Sequence, residues 1–218
     1  MHKISNIGEH CICMDILPTD GAILDAGCRG FSLDDFFYSK LSTRVINVDI
    51  DDLENGLPFE IDPVQKTIRA VFSPHGKNNM SKTSYFKLGI SNYNGLGEVK
   101  PCAIDPQATE LISSKSPEIP VYVYTTERLK QLLNIEWWDF IKLDVEGEEY
   151  QILETGLHPM ATQVSVEFHE HTARAIGKEK LDELLDKLSI WYYIYNRNWE
   201  SRHGAGFNYW DVLLIAKP

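Results

Sequence analysis

The chain has 218 residues, 43% of them hydrophobic and 24% charged, the profile of a soluble globular protein with room for one well-packed domain. Its formal net charge of −11 sets it against a nucleic-acid backbone, which would be repelled almost everywhere on such a surface. The N-terminal MHKISNIGEH lacks the apolar segment of a signal peptide, and no apolar run approaches the roughly 20 residues of a membrane span.

Cys11, Cys13, Cys28 and Cys102 do not have the C-x-x-C spacing of a zinc knuckle, and reduced thiols in a cytoplasmic protein are expected. Ala22 to Ala26 predicts a short buried strand, followed by a glycine turn and a helix over Ser32 to Leu41. Arg44 to Asp49 predicts a second buried strand. Pro58, Pro63 and Pro74 punctuate the stretch 51–82, where no regular element is predicted. Tyr85 to Ile90 predicts a third strand, Tyr93 to Gly97 a turn, and Glu98 to Ile104 a strand pairing back as a hairpin. Asp105 to Ser116 reads as a surface excursion, and the β-branched and aromatic Val121 to Tyr124 as another strand.

Thr125 or Thr126 caps a predicted helix reaching Leu133, with Leu129, Leu132 and Leu133 on one face. Trp138 to Val145 predicts a strand, and Glu148 to Thr155 a helix ended by Gly156. Gln163 to Phe168 predicts a strand, Lys178 to Leu188 an amphipathic helix, and Ile190 to Tyr195 and Tyr209 to Ala216 the last two strands. Strands alternating with helices predict an α/β, Rossmann-like, doubly wound and mostly parallel seven-stranded sheet. The last two strands are joined by about a dozen residues without a helical pattern, which suits an antiparallel pair rather than a crossover. A sheet whose last strand runs backwards is the arrangement of class I methyltransferases. A single domain over 1–218 is expected, with 1–20 as an N-terminal extension and 51–82 and 105–120 as variable insertions.

The run Ile23-Leu24-Asp25-Ala26-Gly27-Cys28-Arg29-Gly30 is strand, acid and two glycines before a predicted helix, a turn that lets backbone approach a ligand closely. Asp49 ends the next strand, with Ile50 beyond it, where an acid can accept both ribose hydroxyls of a nucleoside. A dinucleotide turn would carry G-x-G-x-x-G, and the middle glycine is missing. Asp25 also adds negative charge beside a diphosphate but suits an ammonium or a sulfonium. That contrast favours S-adenosyl-L-methionine over NAD.

Phe140-Ile141-Lys142-Leu143-Asp144-Val145-Glu146-Gly147-Glu148-Glu149-Tyr150, continuing through Ile152-Leu153 to Gly156, resembles the I-K-x-D-V-E-G-x-E signature of FkbM-type methyltransferases. Asp25-Ala-Gly27, Asp49, Thr126-Glu127-Arg128-Leu129 and Val166-Glu167 extend the resemblance over most of the chain. It implies an S-adenosyl-L-methionine-dependent O-methyltransferase. In that family the cofactor loop usually reads D-x-G-x-N-x-G, whereas Asp25 to Gly30 is shorter and resembles a D-x-G-x-R-G-G variant. The implied cofactor set is Asp25, Gly27, Cys28, Arg29 and Gly30 at the methionine end, Asp49 and Ile50 at the ribose, Ser91 and Asn92 near the adenine, and Asp144 and Glu146 at the reacting edge.

Strand alternation places Glu167, His169 and His171 on one face. With Asp144 they predict one of three things: a divalent cation held by Asp144, Glu167 and His169, a metal-free general base at His169, or a local Glu167–His169 hydrogen-bonded pair. Glu148 and Glu149 read as helix-start acids. Asn196 to Asn208 predicts a glycine-hinged loop at the ligand-binding edge, with Arg197, Trp199, Arg202 and His203 able to cover a substrate. A small-molecule or saccharide hydroxyl is the expected acceptor. An NAD-dependent oxidoreductase and a non-catalytic nucleoside-binding relative are the competing readings.

Overall fold

The computed structural model describes residues 3–7, 10–28, 33, 44–50, 61–62, 67–68, 83–101, 109–113, 120–156, 158–169, 177–196, 200–202 and 207–218. In chain order the strands are β1 (Ile4–Ile7), β2 (His10–Cys13), β3 (Ala22–Ala26), β4 (Arg44–Asp49), β5 (Ile61–Asp62), β6 (Thr67–Ile68), β7 (Thr83–Lys87) and β8 (Gly89–Ile90). They continue as β9 (Gly95–Pro101), β10 (Thr109–Ser113), β11 (Pro120–Tyr124), β12 (Trp138–Leu143), β13 (Ala161–His169), β14 (Tyr192–Asn196), β15 (Glu200–Arg202) and β16 (Phe207–Ala216). The described helices include α1 (Thr126–Leu132), α2 (Glu149–Thr155) and α3 (Lys178–Leu188), and a short 3-10 helix spans Met14–Ile16.

The main sheet runs β14-β16-β13-β12-β3-β4-β7, with β15 paired to β16 off this path. Neighbours from β7 to β13 are parallel, and β16 is antiparallel to both β13 and β14. This is the expected α/β doubly wound sheet with a reversed last strand, the order of the class I methyltransferase fold. The carboxyl ends of β3, β4, β12 and β13 therefore meet on one edge, where such sheets bind ligands.

Alternation along β13 sets the two faces of the sheet. Val164, Val166 and Phe168 face a core that includes Ile152, Leu153, Leu181, Leu184, Leu185 and Leu188. The last four recur along α3 at the helical spacing of an apolar stripe. Gln163, Ser165, Glu167 and His169 alternate with those apolar residues and are also buried. The β1–β2 hairpin covers part of that polar face: Cys13 N donates to Gln163 Oε1 at 2.8 Å and Gln163 Nε2 donates back to Cys13 O at 2.9 Å. Cys11 N donates to Ser165 Oγ at 3.2 Å. The side chains of β13 thus satisfy backbone groups of β2 that a neighbouring strand would otherwise pair. Cys11, Cys13 and Cys28 are buried thiols.

At α1, Thr125 Oγ1 accepts from Arg128 N at 3.0 Å, the expected N-cap. Thr125→Ala is expected to cost about 1 kcal/mol in a denaturant titration.

The structure departs from the sequence reading at several places. The strand predicted over Tyr85 to Ile90 is two strands, because Leu88 N is held by Asp49 O at 2.9 Å before the chain leaves β4. There Gly89 packs closely on Leu111, and β8 pairs with β11 in a second sheet ordered β10-β9-β11-β8. The predicted hairpin strand starts earlier, at Gly95, and its partners are Thr109–Ser113 and Pro120–Tyr124. The predicted surface excursion accordingly contains a strand, with Leu111 buried. Ile190 and Trp191 sit exposed in the turn after α3, so the next strand begins at Tyr192. The predicted loop before the last strand includes β15, which carries Arg202 and pairs with Phe207–Tyr209. The helix predicted over Ser32 to Leu41 lies outside the described residues except for Leu33, which is helical and buried. Among the described residues no helix is long and apolar enough to cross a membrane.

Candidate functional site

Gly27 follows β3 with φ +79°, and a Cβ there would lie 1.7 Å from the Asp144 carbonyl oxygen. Only glycine fits, by both conformation and space. Gly27 N donates to Val48 O at 2.8 Å, and Asp144 N donates to Ala26 O at 3.1 Å. The loop is thereby fixed between the ends of β4 and β12. Beneath it, Lys142 Nζ lies 3.2 Å from Asp25 Oδ1 and 3.1 Å from Asp144 Oδ2, and donates to Gly27 O at 2.6 Å. Burial works against a charged amine, yet the carboxylates of Asp25 and Asp144 hold the Lys142 pKa above its ordinary value. Asp25 is fully buried and faces Lys142, so its carboxylate serves this ion pair rather than lying open to a ligand's ammonium.

The turn after β12 carries two left-handed residues, Glu146 at φ +50° and Gly147 at φ +104°. A non-glycine residue there costs of order 1 kcal/mol and marks a constrained position. Glu149 closes the turn: Oε1 accepts from Val145 N at 2.8 Å and Oε2 from Gly147 N at 3.0 Å. Its Oε1 also lies 2.9 Å from His169 Nδ1. Glu148 accepts a hydrogen bond from Ser91 Oγ, joining α2 to the end of β8. Both acids are 1% exposed, so the helix-start reading gives way to buried, structural roles.

The other ring nitrogen of His169 faces acids. His169 Nε2 is 3.4 Å from Asp144 Oδ1, 3.6 Å from Glu146 Oε2 and 3.9 Å from Glu167 Oε1. Burial favours the neutral ring, but Glu149, with Glu146 and Asp144 behind it, pushes the His169 pKa up to about 10. Burial raises the Asp144 pKa, but Lys142, His10 and His169 more than offset this and hold the carboxyl well below the usual range.

His10, from β2, enters the same cluster. Its Nε2 is 3.7 Å from Asp144 Oδ2 and 4.0 Å from Glu167 Oε2, while its Nδ1 is 3.3 Å from Ser165 Oγ. Asp211, opposite Glu167 on β16, completes this side. His10, Lys142, Ser165 and Asp211 are not among the site residues expected from the sequence. Lys142 stands inside the quoted run without an expected role, and His10 meets Ser165 across 155 positions of chain.

An open cleft runs along this edge. Its lining includes Gly27, Asp49, Ile50, Asp144 and Glu146 from the predicted set, with Val48, Leu88, Ile90 and Leu111 as apolar walls. Asp144, Glu167 and His169 each offer a ligand atom within 4.8 Å of the others. Cys28 is buried behind the loop, Ser91 is buried against Glu148, and Asn92 is exposed. Arg29, Gly30, His171, Arg197, Trp199 and His203 lie outside the described residues.

No family model matches the chain, and no curated protein matches it. Among solved structures it is similar to an rRNA methylase from Streptococcus thermophilus, with 8% identity over 94% of this chain and 92% of that one and a TM-score of 0.49. It is also similar to magnesium protoporphyrin IX methyltransferase from Synechocystis PCC 6803 with bound SAM, with 11% identity over 91% of this chain and 71% of that one and a TM-score of 0.46. A third is the Burkholderia thailandensis 1,6-didemethyltoxoflavin-N1-methyltransferase with bound S-adenosylhomocysteine, with 13% identity over 91% of this chain and 72% of that one and a TM-score of 0.44. Identities and scores this low decide nothing about the chemistry of this chain; the fold rests on its own strand order.

Proposed function

We propose that the chain is an S-adenosyl-L-methionine-dependent methyltransferase of the FkbM type, acting on a hydroxyl of a small molecule or saccharide. The observation that carries this reading is the cleft at the strand ends: an acid at the tip of β4, apolar walls beside it, and the Asp144–Glu146 carboxylates at its other end. That lining fits a nucleoside joined to a cationic centre. Asp49 would take the ribose hydroxyls, Val48, Ile50, Leu88 and Ile90 the adenine faces, and Asp144 with Glu146 the side facing the sulfonium. S-adenosyl-L-methionine would supply an activated methyl group. The same two acids would repel a diphosphate, which argues against a dinucleotide.

For the acceptor, Asp144, Glu167 and His169 each offer one ligand atom, one imidazole nitrogen and two carboxylate oxygens, all within 4.8 Å of one another. A divalent cation held there would lower the pKa of an acceptor hydroxyl. With His169 turned to Glu149 through Nδ1, its Nε2 is oriented for such a ligand role. The net charge of −11 favours a small or saccharide acceptor over a nucleic acid.

Asp49→Ala is expected to weaken S-adenosylhomocysteine binding by about tenfold or more, the loss of charge-assisted hydrogen bonds worth about 1.5–3 kcal/mol. Calorimetric titration reads this directly, and an unchanged affinity would remove Asp49 from the ribose role.

A further inference from the structure

We propose that the cluster is a two-cation centre bridged by Glu167, with the second cation held by His10, Glu167 and Asp211. Those three residues are all buried, and each offers a ligand atom within 4.8 Å of the others, separately from the group of Asp144, Glu167 and His169. The shared Glu167 divides its oxygens: Oε1 faces His169 Nε2 at 3.9 Å and Oε2 faces His10 Nε2 at 4.0 Å. A carboxylate that turns one oxygen to each of two imidazoles is placed as a bridge, and paired catalytic cations are usually about 3.5–4 Å apart.

Each histidine is oriented the same way. His169 has Glu149 Oε1 at its Nδ1, and His10 has Ser165 Oγ at its Nδ1, which leaves both Nε2 atoms turned to the acids. Metal-binding histidines are held in this manner by a partner on the far nitrogen. Asp144 divides its oxygens too, Oδ1 toward His169 and Oδ2 toward Lys142 at 3.1 Å. Lys142 thus takes the Asp144 oxygen on the His10 side, and Asp211 supplies the carboxylate there instead. Mixed imidazole and carboxylate ligands suit a first-row divalent cation such as Mn²⁺ or Zn²⁺ better than Mg²⁺ or Ca²⁺. The second cation would tie β2 to β13 and β16, making the N-terminal hairpin part of the site.

The first cation's role in activating a hydroxyl rests on the methyltransferase reading, but ion binding does not. The full-length protein, stripped with chelator and reloaded with Mn²⁺, is expected to hold two ions per chain and to give the electron paramagnetic resonance spectrum of an exchange-coupled pair. His10→Ala and, separately, Asp211→Asn are each expected to leave one ion per chain with an uncoupled spectrum. Circular dichroism identifies a variant that fails to fold, and the other variant then decides. One ion or none in the wild-type protein overturns the proposal, as does a folded His10→Ala or Asp211→Asn protein that keeps two. Binding of S-adenosylhomocysteine to the stripped protein is read separately, so failure of the metal centre and failure of the methyltransferase reading are distinguishable.

Discussion

Glu149→Ala is expected to lower the unfolding free energy by about 3–5 kcal/mol, the cost of deleting one partner of a buried ion pair. Glu149 is 1% exposed and its two oxygens serve Val145 N, Gly147 N and His169 Nδ1. Truncation leaves those groups without their acceptor in a place water does not reach, and an unsatisfied buried group costs about 1–3 kcal/mol. It also releases the turn that holds Glu146 in its left-handed conformation. Glu149→Gln keeps the volume and one carbonyl oxygen, so its loss is expected to be smaller. A helix-start acid on the surface would contribute only about 0.3–1 kcal/mol. Urea titrations of the two variants therefore separate the readings, and a loss below about 1 kcal/mol for Glu149→Ala would show that the turn does not depend on it.

Gly27→Ala is expected to abolish cofactor binding, with affinity for S-adenosylhomocysteine falling by about 100-fold or more. Two penalties act together. An L-residue at φ +79° is strained by about 1–2 kcal/mol, and the new methyl would stand 1.7 Å from Asp144 O, where non-bonded atoms prefer about 3.5–4 Å. The obstacle is a main-chain carbonyl, so no side-chain rotation relieves it. Either the loop after β3 or the end of β12 must move by more than an ångström, and displacements of that size in a binding site cost of order 100-fold. Calorimetry and a thermal melt on one preparation distinguish lost binding from lost folding. An alanine variant that binds normally would mean the loop does not pack on Asp144.

Much of this architecture is legible in the sequence because it is carried by local periodicity. Ala22–Ala26, Arg44–Asp49 and Lys178–Leu188 have the predicted bounds. The reversed last strand follows from a short connection that could not cross the sheet. What escaped is long-range. The break at Leu88 depends on a hydrogen bond to Asp49 O and on space beside Gly89, neither visible in a β-rich run such as Tyr85 to Ile90. Leu111 and Ile112 look like a short apolar pair in a polar stretch until β9 pairs with their strand. The polar positions of β13 alternate as an exposed face would, yet the N-terminal hairpin buries them. At the site, Asp144 and Glu146 from the run Phe140 to Tyr150 line the cleft. The same pattern assigns Glu149 to a helix start, because sequence spacing cannot show that its carboxylate turns back to Val145 N and across to His169. His10 is the extreme case, since nothing near it in the chain announces a meeting with Asp144.

The most direct test of the central claim is a calorimetric titration of the purified chain with S-adenosylhomocysteine and, in parallel, with NAD. The account predicts saturable binding of S-adenosylhomocysteine at one site per chain, weakened by Asp49→Ala, and no binding of NAD. Binding of NAD without binding of S-adenosylhomocysteine would contradict it.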